Sequence, residues 1–240
     1  MQSQTADRLN AINYEFYQTF AAAFAETRQR VQPGVSRVLK SIAPHESVLD
    51  LGCGGGAVAD QLFEMGHRGR YVGLDASESL LQRAQNGLRH PDAHFVLADL
   101  TRLEWSRALV GRFDHVFAFA VLHHIPGEEC RLRLARNIRQ HTMPNGLVSL
   151  STWNFLAAER LRERILLWED VGLSEAEVDP GDYLLDWRRG GYGLRYVHHF
   201  SDMELSELAR QAGFQVIERF LSDGEGCVLG RYQRWQIAGA

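Results

Sequence analysis

Apolar positions in the first forty residues recur at helical spacing. Leu9, Ile12, Phe16, Phe20 and Phe24 follow one another at steps of three and four, which draws one apolar stripe down a helix. Pro33-Gly34 breaks it, and Val35, Val38, Leu39 and Ile42 restart the pattern in a second segment; the polar Glu26-Thr27-Arg28 lies just before the break. From residue 48 the period changes. Short β-prone runs at 48–51, 71–74, 94–98, 115–119 and 147–152 alternate with helical patterns at 57–66, 77–88 and 127–140, and a short helix plus loop is expected over 101–112. Such alternation makes a parallel sheet covered on both faces. After Trp153 the pattern predicts an amphipathic helix over 154–171 (Leu156, Leu161, Ile165, Leu166, Trp168), then an irregular stretch through Pro180-Gly181 and Gly190-Gly191. A helix at 202–212 follows, capped by Ser201 and Gly213. Strands at 214–221 and 227–237, joined through Ser222-Asp223-Gly224-Glu225-Gly226, close the chain as a hairpin, so the last strand runs antiparallel to its partner.

The densest chemical signal is Val48-Leu49-Asp50-Leu51-Gly52-Cys53-Gly54-Gly55-Gly56-Ala57. A buried strand ends in a glycine-rich turn, and the helix beyond it aims its N–H groups and positive dipole end into that turn. Gly52, Gly54 and Gly56 permit positive φ and let a ligand press against the backbone. Cys53 reads as a small spacer. Glycine turns of this kind serve dinucleotides and S-adenosylmethionine alike. Asp50 separates the two: an acid before the first glycine suits a cationic sulfonium and an ammonium better than a pyrophosphate, the alternative being a turn cap. Asp75, ending the second strand, can accept both ribose hydroxyls, although Asp75 and Ser77 could also cap the next helix. Asp99, ending the third, can accept the adenine amine, with Leu100 or Ala98 lining the ring.

These pieces, with Phe113-Asp114-His115-Val116 and Pro144-Asn145-Gly146, resemble the class I S-adenosylmethionine-dependent methyltransferases over most of residues 46–152. The resemblance implies an α/β fold with a Rossmann-like seven-stranded sheet, last strand antiparallel, and helices on both faces. It implies S-adenosyl-L-methionine as methyl donor, S-adenosyl-L-homocysteine as product, and a cofactor site on Asp50, Gly52, Cys53, Gly54, Asp75, Ala76, Asp99, Leu100 and Ala118. Residues 1–45 would form a helical cap and 46–240 the methyltransferase domain, with a substrate-side insertion at about 153–200.

The acceptor has to be read from the outer segments. Ala118-Phe119-Ala120-Val121-Leu122-His123-His124-Ile125 ends the fourth strand at the ligand crevice, where a histidine could be a base, a substrate donor or a helix cap. Tyr192 to Phe200, Ser222-Asp223-Gly224 and Tyr232-Gln233-Arg234-Trp235, with Thr27-Arg28 and Ala120 to His124, resemble the tRNA wobble-uridine carboxymethyl methyltransferases, which esterify the carboxylate of 5-carboxymethyluridine. That resemblance implies tRNA as partner and, since eukaryotic members work with a small zinc-binding protein, raises a small protein partner too. A carboxylate is already nucleophilic and needs chiefly orientation, which a planar arginine fork supplies. Arg28 and Arg195 are therefore the expected clamp. Arg28, His124, Arg195 and His198 are the expected catalytic residues, and His123 and Tyr196 the expected substrate contacts.

Bulk properties change this little. With 240 residues and a net charge of −4 the chain gives no general support for polyanion binding, so any such face is local. Arg131, Arg133, Arg136 and Arg139 on one helix, and Arg160, Arg162 and Arg164 on another, are the candidate phosphate contacts. Cys53, Cys130 and Cys227 are widely spaced, which fits a reducing cytoplasmic setting and no metal site. No apolar run approaches the ~20 residues of a membrane span. Two other readings stand beside the tRNA ester: a small-molecule methyltransferase with His123 or His124 as base, and a cofactor-binding module without chemistry.

Overall fold

The fold is taken from a computed structural model that describes residues 1–26, 30–87, 90–102, 104–107 and 109–239. Thr27 and Arg28 lie outside the described residues, as does the side chain of Phe24.

Helix α1 (Ser3–Glu26) and the short α2 (Pro33–Leu39) lead into β1 (Val48–Leu51), every residue of which is buried. Then come α3 (Ala57–Glu64), β2 (Tyr71–Asp75), α4 (Glu78–Gly87), β3 (Ala93–Leu97), β4 (Phe113–Phe119), α5 (Glu128–Gln140) and β5 (Thr142–Trp153). After a region of short elements, α7 (Asp202–Gln211), β9 (Phe214–Ser222) and β10 (Gly230–Ile237) finish the chain. The strand order is β3-β2-β1-β4-β5-β10-β9. Strands β1 to β5 pair in parallel, and β10 is antiparallel to both neighbours, as the terminal hairpin requires. Strand alternation divides the core. Leu49 and Leu51 pack with Leu134, Ile138, Leu205 and Trp235 on one face, while Val48 packs with Val35, Val38, Leu39 and Tyr71 on the other. Ser201 caps α7 by accepting from the Glu204 N–H, and Gly213 ends it at φ 82°.

Three expectations need correction. The 101–112 segment contains turns and no helix among its described residues. The helix expected over 154–171 is only one turn long, α6 (Glu159–Arg162), flanked by 3-10 turns at 155–157 and 168–171. Between them Ile165 and Leu166 leave helical geometry to form β6 (Ile165–Leu166), paired with Leu185 and Leu184. Strand pairing overrides the local helical pattern there. Third, the stretch expected to be irregular holds an antiparallel hairpin, β7 (Asp182–Trp187) and β8 (Gly193–His198), turned through Gly190 and Gly191 at positive φ. Strands β6-β7-β8 make a second, three-stranded sheet.

Candidate active site

A cavity of about 1090 Å³ opens beyond the C-terminal ends of the parallel strands, where ligands bind in open α/β sheets. Its inner wall is the glycine turn. Gly52, Gly54 and Gly56 sit at φ 71°, 55° and 86°. A Cβ on Gly52 would stand 2.6 Å from Val121 Cγ2, whereas one on Gly54 or Gly55 would meet nothing within 4 Å. The first glycine is needed for packing, and the next two leave backbone open to the cavity. Asp75 ties this wall together: its carboxylate accepts the N–H groups of Gly54 (2.9 Å) and Ser77 (2.8 Å), against burial that pushes its pKa upward. Asp99 accepts from the backbone and hydroxyl of Thr101. Cys53, Ala76 and Leu100 line the cavity as well. Burial raises the Cys53 thiol well above its ordinary range, which keeps it an inert spacer.

Asp50 and Ala118 are placed differently. Both are buried and neither reaches the cavity wall. The Asp50 carboxylate lies beneath the turn and accepts the Tyr71 hydroxyl at 2.5 Å. Burial lifts its pKa to about 7, against the Tyr71 hydrogen bond and with a smaller push from Asp75.

On the outer side, Ala120 holds φ 57°, its N–H donating to Ser151, and this left-handed residue turns β4 into the 3-10 turn Leu122–His124. His123 and His124 both line the cavity. His124 Nδ1 is 3.2 Å from the Tyr196 carbonyl and Nε2 is 2.9 Å from the Tyr17 hydroxyl. A carbonyl only accepts, so Nδ1 carries the proton and Nε2 accepts from Tyr17. His123 Nδ1 accepts from the Trp153 N–H at 3.3 Å.

The segment Arg195-Tyr196-Val197-His198 is a strand, and its side chains part company. Arg195 is opposite Leu185 and faces the cavity, with its guanidinium carbon 5.0 Å from the Phe16 ring, 5.2 Å from Trp153 and 5.0 Å from Trp187. Tyr196 and His198 point to the reverse face, away from the cavity. There the Tyr196 hydroxyl and His198 Nδ1 both meet Asp182 Oδ1, at 2.7 and 2.6 Å, and His198 Nε2 meets Glu204 at 2.6 Å. Arg131, 3.9 Å from Glu204 and from Asp179, completes a buried charged network. Two carboxylates raise the His198 pKa against the opposing effect of burial. Arg131, read from the sequence as part of an outward basic face, is thus an internal cation on α5. Its helix-mate Arg133 donates to the Thr101 carbonyl. Arg160 and Arg164 do line the cavity, while Arg162 donates to the Leu156 carbonyl.

Several cavity residues carry no site role on sequence grounds alone. Asn13 and Tyr17 come from α1, on the helix face beside the apolar stripe; Asn13 accepts the Tyr196 N–H at 2.9 Å and so covers the outer edge of β8. Trp153 lies one residue past the strand expected to end at 152, and Trp187 ends a strand in the stretch expected to be irregular. Asp223 accepts both the Gly34 N–H (2.8 Å) and the Tyr232 hydroxyl (2.5 Å), clasping the start of α2 to β10 at the cavity rim.

The profile of the methyltransferase-domain family matches residues 23–219. The chain belongs to that family. It is an S-adenosylmethionine-dependent methyltransferase with the class I fold. A methyltransferase structure from Methanosarcina mazei superposes with TM-score 0.67 at 19% identity, covering 87% of this chain and 98% of that one. A Haloferax volcanii methyltransferase structure in complex with the Trm112 activator gives TM-score 0.68 at 16% identity, covering 95% and 98%. Among sequences, the Schizosaccharomyces pombe tRNA (carboxymethyluridine(34)-5-O)-methyltransferase is 24% identical over 87% of this chain and 91% of its own. The Deinococcus radiodurans trans-aconitate 2-methyltransferase is 29% identical over 45% and 38%. The inner wall of this methyltransferase fits the cofactor: open glycine backbone at 54–55 and carboxylates at Asp75 and Asp99, matched to an ammonium, ribose hydroxyls and an adenine amine. When bound, the cofactor supplies a methyl group on a cationic sulfur.

Proposed function

We propose that this methyltransferase esterifies the carboxylate of a modified wobble uridine, of the 5-carboxymethyluridine type, in tRNA. The observation that carries the reading is Arg195, a guanidinium on the cavity wall held among the rings of Phe16, Trp153 and Trp187. Aromatic faces fix the plane of an arginine, and a planar fork held in this way is shaped to take a carboxylate. A carboxylate acceptor needs no deprotonation, and the two cavity histidines suit that. His124 has a carbonyl on one nitrogen and a hydroxyl on the other, and His123 Nδ1 accepts a backbone N–H. Both serve to shape the pocket rather than to take a proton. Arg28 is the second arginine of the proposed clamp. The fission-yeast relative supports the carboxymethyluridine acceptor, and the Haloferax complex supports a small activator protein as partner.

A small-acid acceptor is the second reading, favoured by the trans-aconitate relative and served by the same guanidinium. The deciding experiment incubates the enzyme with radiolabelled S-adenosylmethionine and bulk tRNA, then exposes the product to mild base. Label released from tRNA as methanol supports the ester. Transfer only to small acids, with or without an activator protein, rejects the tRNA acceptor.

A further inference from the structure

One carboxylate needs one arginine fork, or two, yet the outer wall of the cavity carries more cations than that. Arg160, Arg164, Arg188 and Arg189 all line it with Arg195. The small sheet gathers them. Ile165 pairs with Leu185, and the Asp186 N–H donates to the Arg164 carbonyl at 3.0 Å, so the chain entering β6 and the chain leaving β7 emerge at the same end. Arg160 and Arg164 come from before β6, Arg188 and Arg189 from after β7. Arg188 Nε meets the buried Asp186 Oδ2 at 2.6 Å, and Trp187 Nε1 donates to the Arg189 carbonyl, which fixes the turn that presents both. Arg160, Arg188 and Arg189 are exposed and Arg164 is half-buried. In a chain of net charge −4 this is a local concentration of positive charge at the mouth of an active site.

A free acid with a single carboxylate has an anionic group for one or two of these four cations. A polymer with a phosphate on every residue has one for each. We propose that Arg160, Arg164, Arg188 and Arg189 bind the backbone phosphates of nucleotides flanking the acceptor in a single-stranded RNA loop, so that the acceptor base is read as part of an RNA chain and not as a nucleoside. This rests on the RNA-acceptor reading above. Single-stranded RNA fits because a base must leave any stack to enter the cavity.

The test measures binding directly and so does not depend on turnover. A fluorescein-labelled anticodon stem-loop RNA is titrated with the S-adenosylhomocysteine-saturated protein by anisotropy across a salt series. Arg160→Ala/Arg164→Ala should weaken binding about tenfold or more and flatten the slope of log K against log salt by about 1.4, about 0.7 for each lost single-strand phosphate contact. Arg189→Ala should flatten the slope by about half as much, about 0.7. Arg160→Lys/Arg164→Lys should restore most of the slope, and affinity for S-adenosylhomocysteine should stay at the wild-type value in all three. Wild-type RNA affinity and slope in the alanine variants overturn the proposal, and so does loss of S-adenosylhomocysteine binding in parallel. Binding to phosphatidylserine vesicles but not to RNA overturns it too. Arginine-dependent RNA binding without methyl transfer sustains the phosphate site and sinks the ester reading. Methyl transfer to tRNA that ignores these arginines does the reverse.

Discussion

Replacing Asp50 by asparagine should stabilise the cofactor-free protein at neutral pH while weakening its hold on the methyl donor. The carboxyl is 2% exposed and lies under the glycine turn, with the Tyr71 hydroxyl as its hydrogen-bond donor. Burial lifts its pKa from 3.8 to about 7. A carboxyl raised on folding costs nothing while it is protonated in both states. The cost begins near the unfolded value of 3.8 and grows until the folded value is passed, so stability falls as pH rises through that window. A shift of roughly three units at ~1.36 kcal/mol each makes the full cost about 4 kcal/mol above pH 7 and near zero at pH 4. Asparagine is nearly isosteric and can still accept from Tyr71, so Asp50→Asn should carry little of this cost. Urea denaturation of both proteins, ligand-free, at pH 4.5 and pH 8 reads it: the variant should gain several kcal/mol on wild type between the two. Calorimetry at pH 8 should show S-adenosylmethionine losing more affinity than S-adenosylhomocysteine, because only the former is a sulfonium cation. A stability difference that does not change with pH would refute the argument, and equal losses for the two ligands would refute its functional half.

Three further outcomes are expected. Arg195→Lys should lower kcat/KM for the acceptor by about a hundredfold, roughly 2.7 kcal/mol, and leave S-adenosylhomocysteine affinity unchanged, since a point charge cannot replace a stacked fork; a loss of less than threefold would remove Arg195 from the clamp. Gly52→Ala, which meets Val121 at 2.6 Å and φ 71°, should cost about 2 kcal/mol or more in denaturation, whereas Gly54→Ala should cost about 1 kcal/mol and instead lower cofactor affinity at least tenfold, because its methyl enters only open cavity. His198→Gln should cost about 3 kcal/mol near pH 6 and progressively less at higher pH: the histidine's pKa is raised on folding, so its contribution is complete below about 6.5 and is lost as pH rises through the folded value.

The parallel half of the sheet could be read from the chain because each strand there is bounded by its own punctuation. Val48–Leu51 ends in glycines, Tyr71–Asp75 in an acid and a capping serine, and apart from one acid each, Asp50 and Asp75, both lack polar side chains other than the Tyr71 hydroxyl, as suits strands covered on two faces. The 153–200 region failed for the opposite reason. Ile165-Leu166 is too short to declare itself, and the β7–β8 hairpin was concealed although Gly190-Gly191 stood between two apolar runs. That omission explains how the site was misjudged. Without the strand, Arg195, Tyr196 and His198 looked like one cluster; the pleat sends the first to the cavity and the other two behind it. Arg131 shows the same limit, since nothing local distinguishes a cation that faces water from one that meets Glu204 and Asp179 inside.

Strand β8 therefore serves two masters along one line of residues. Arg195 looks into the cavity, and Tyr196 and His198 on the opposite face are bolted through Asp182, Glu204 and Arg131 to the body of the enzyme. A lineage that acquires a new acceptor can rewrite Arg195 while leaving the bolts untouched. The reverse order is closed to it, because a change at Tyr196 or His198 loosens the wall before any new substrate can reward it. Sequence drift in this segment should accordingly gather at position 195 and spare 196 and 198.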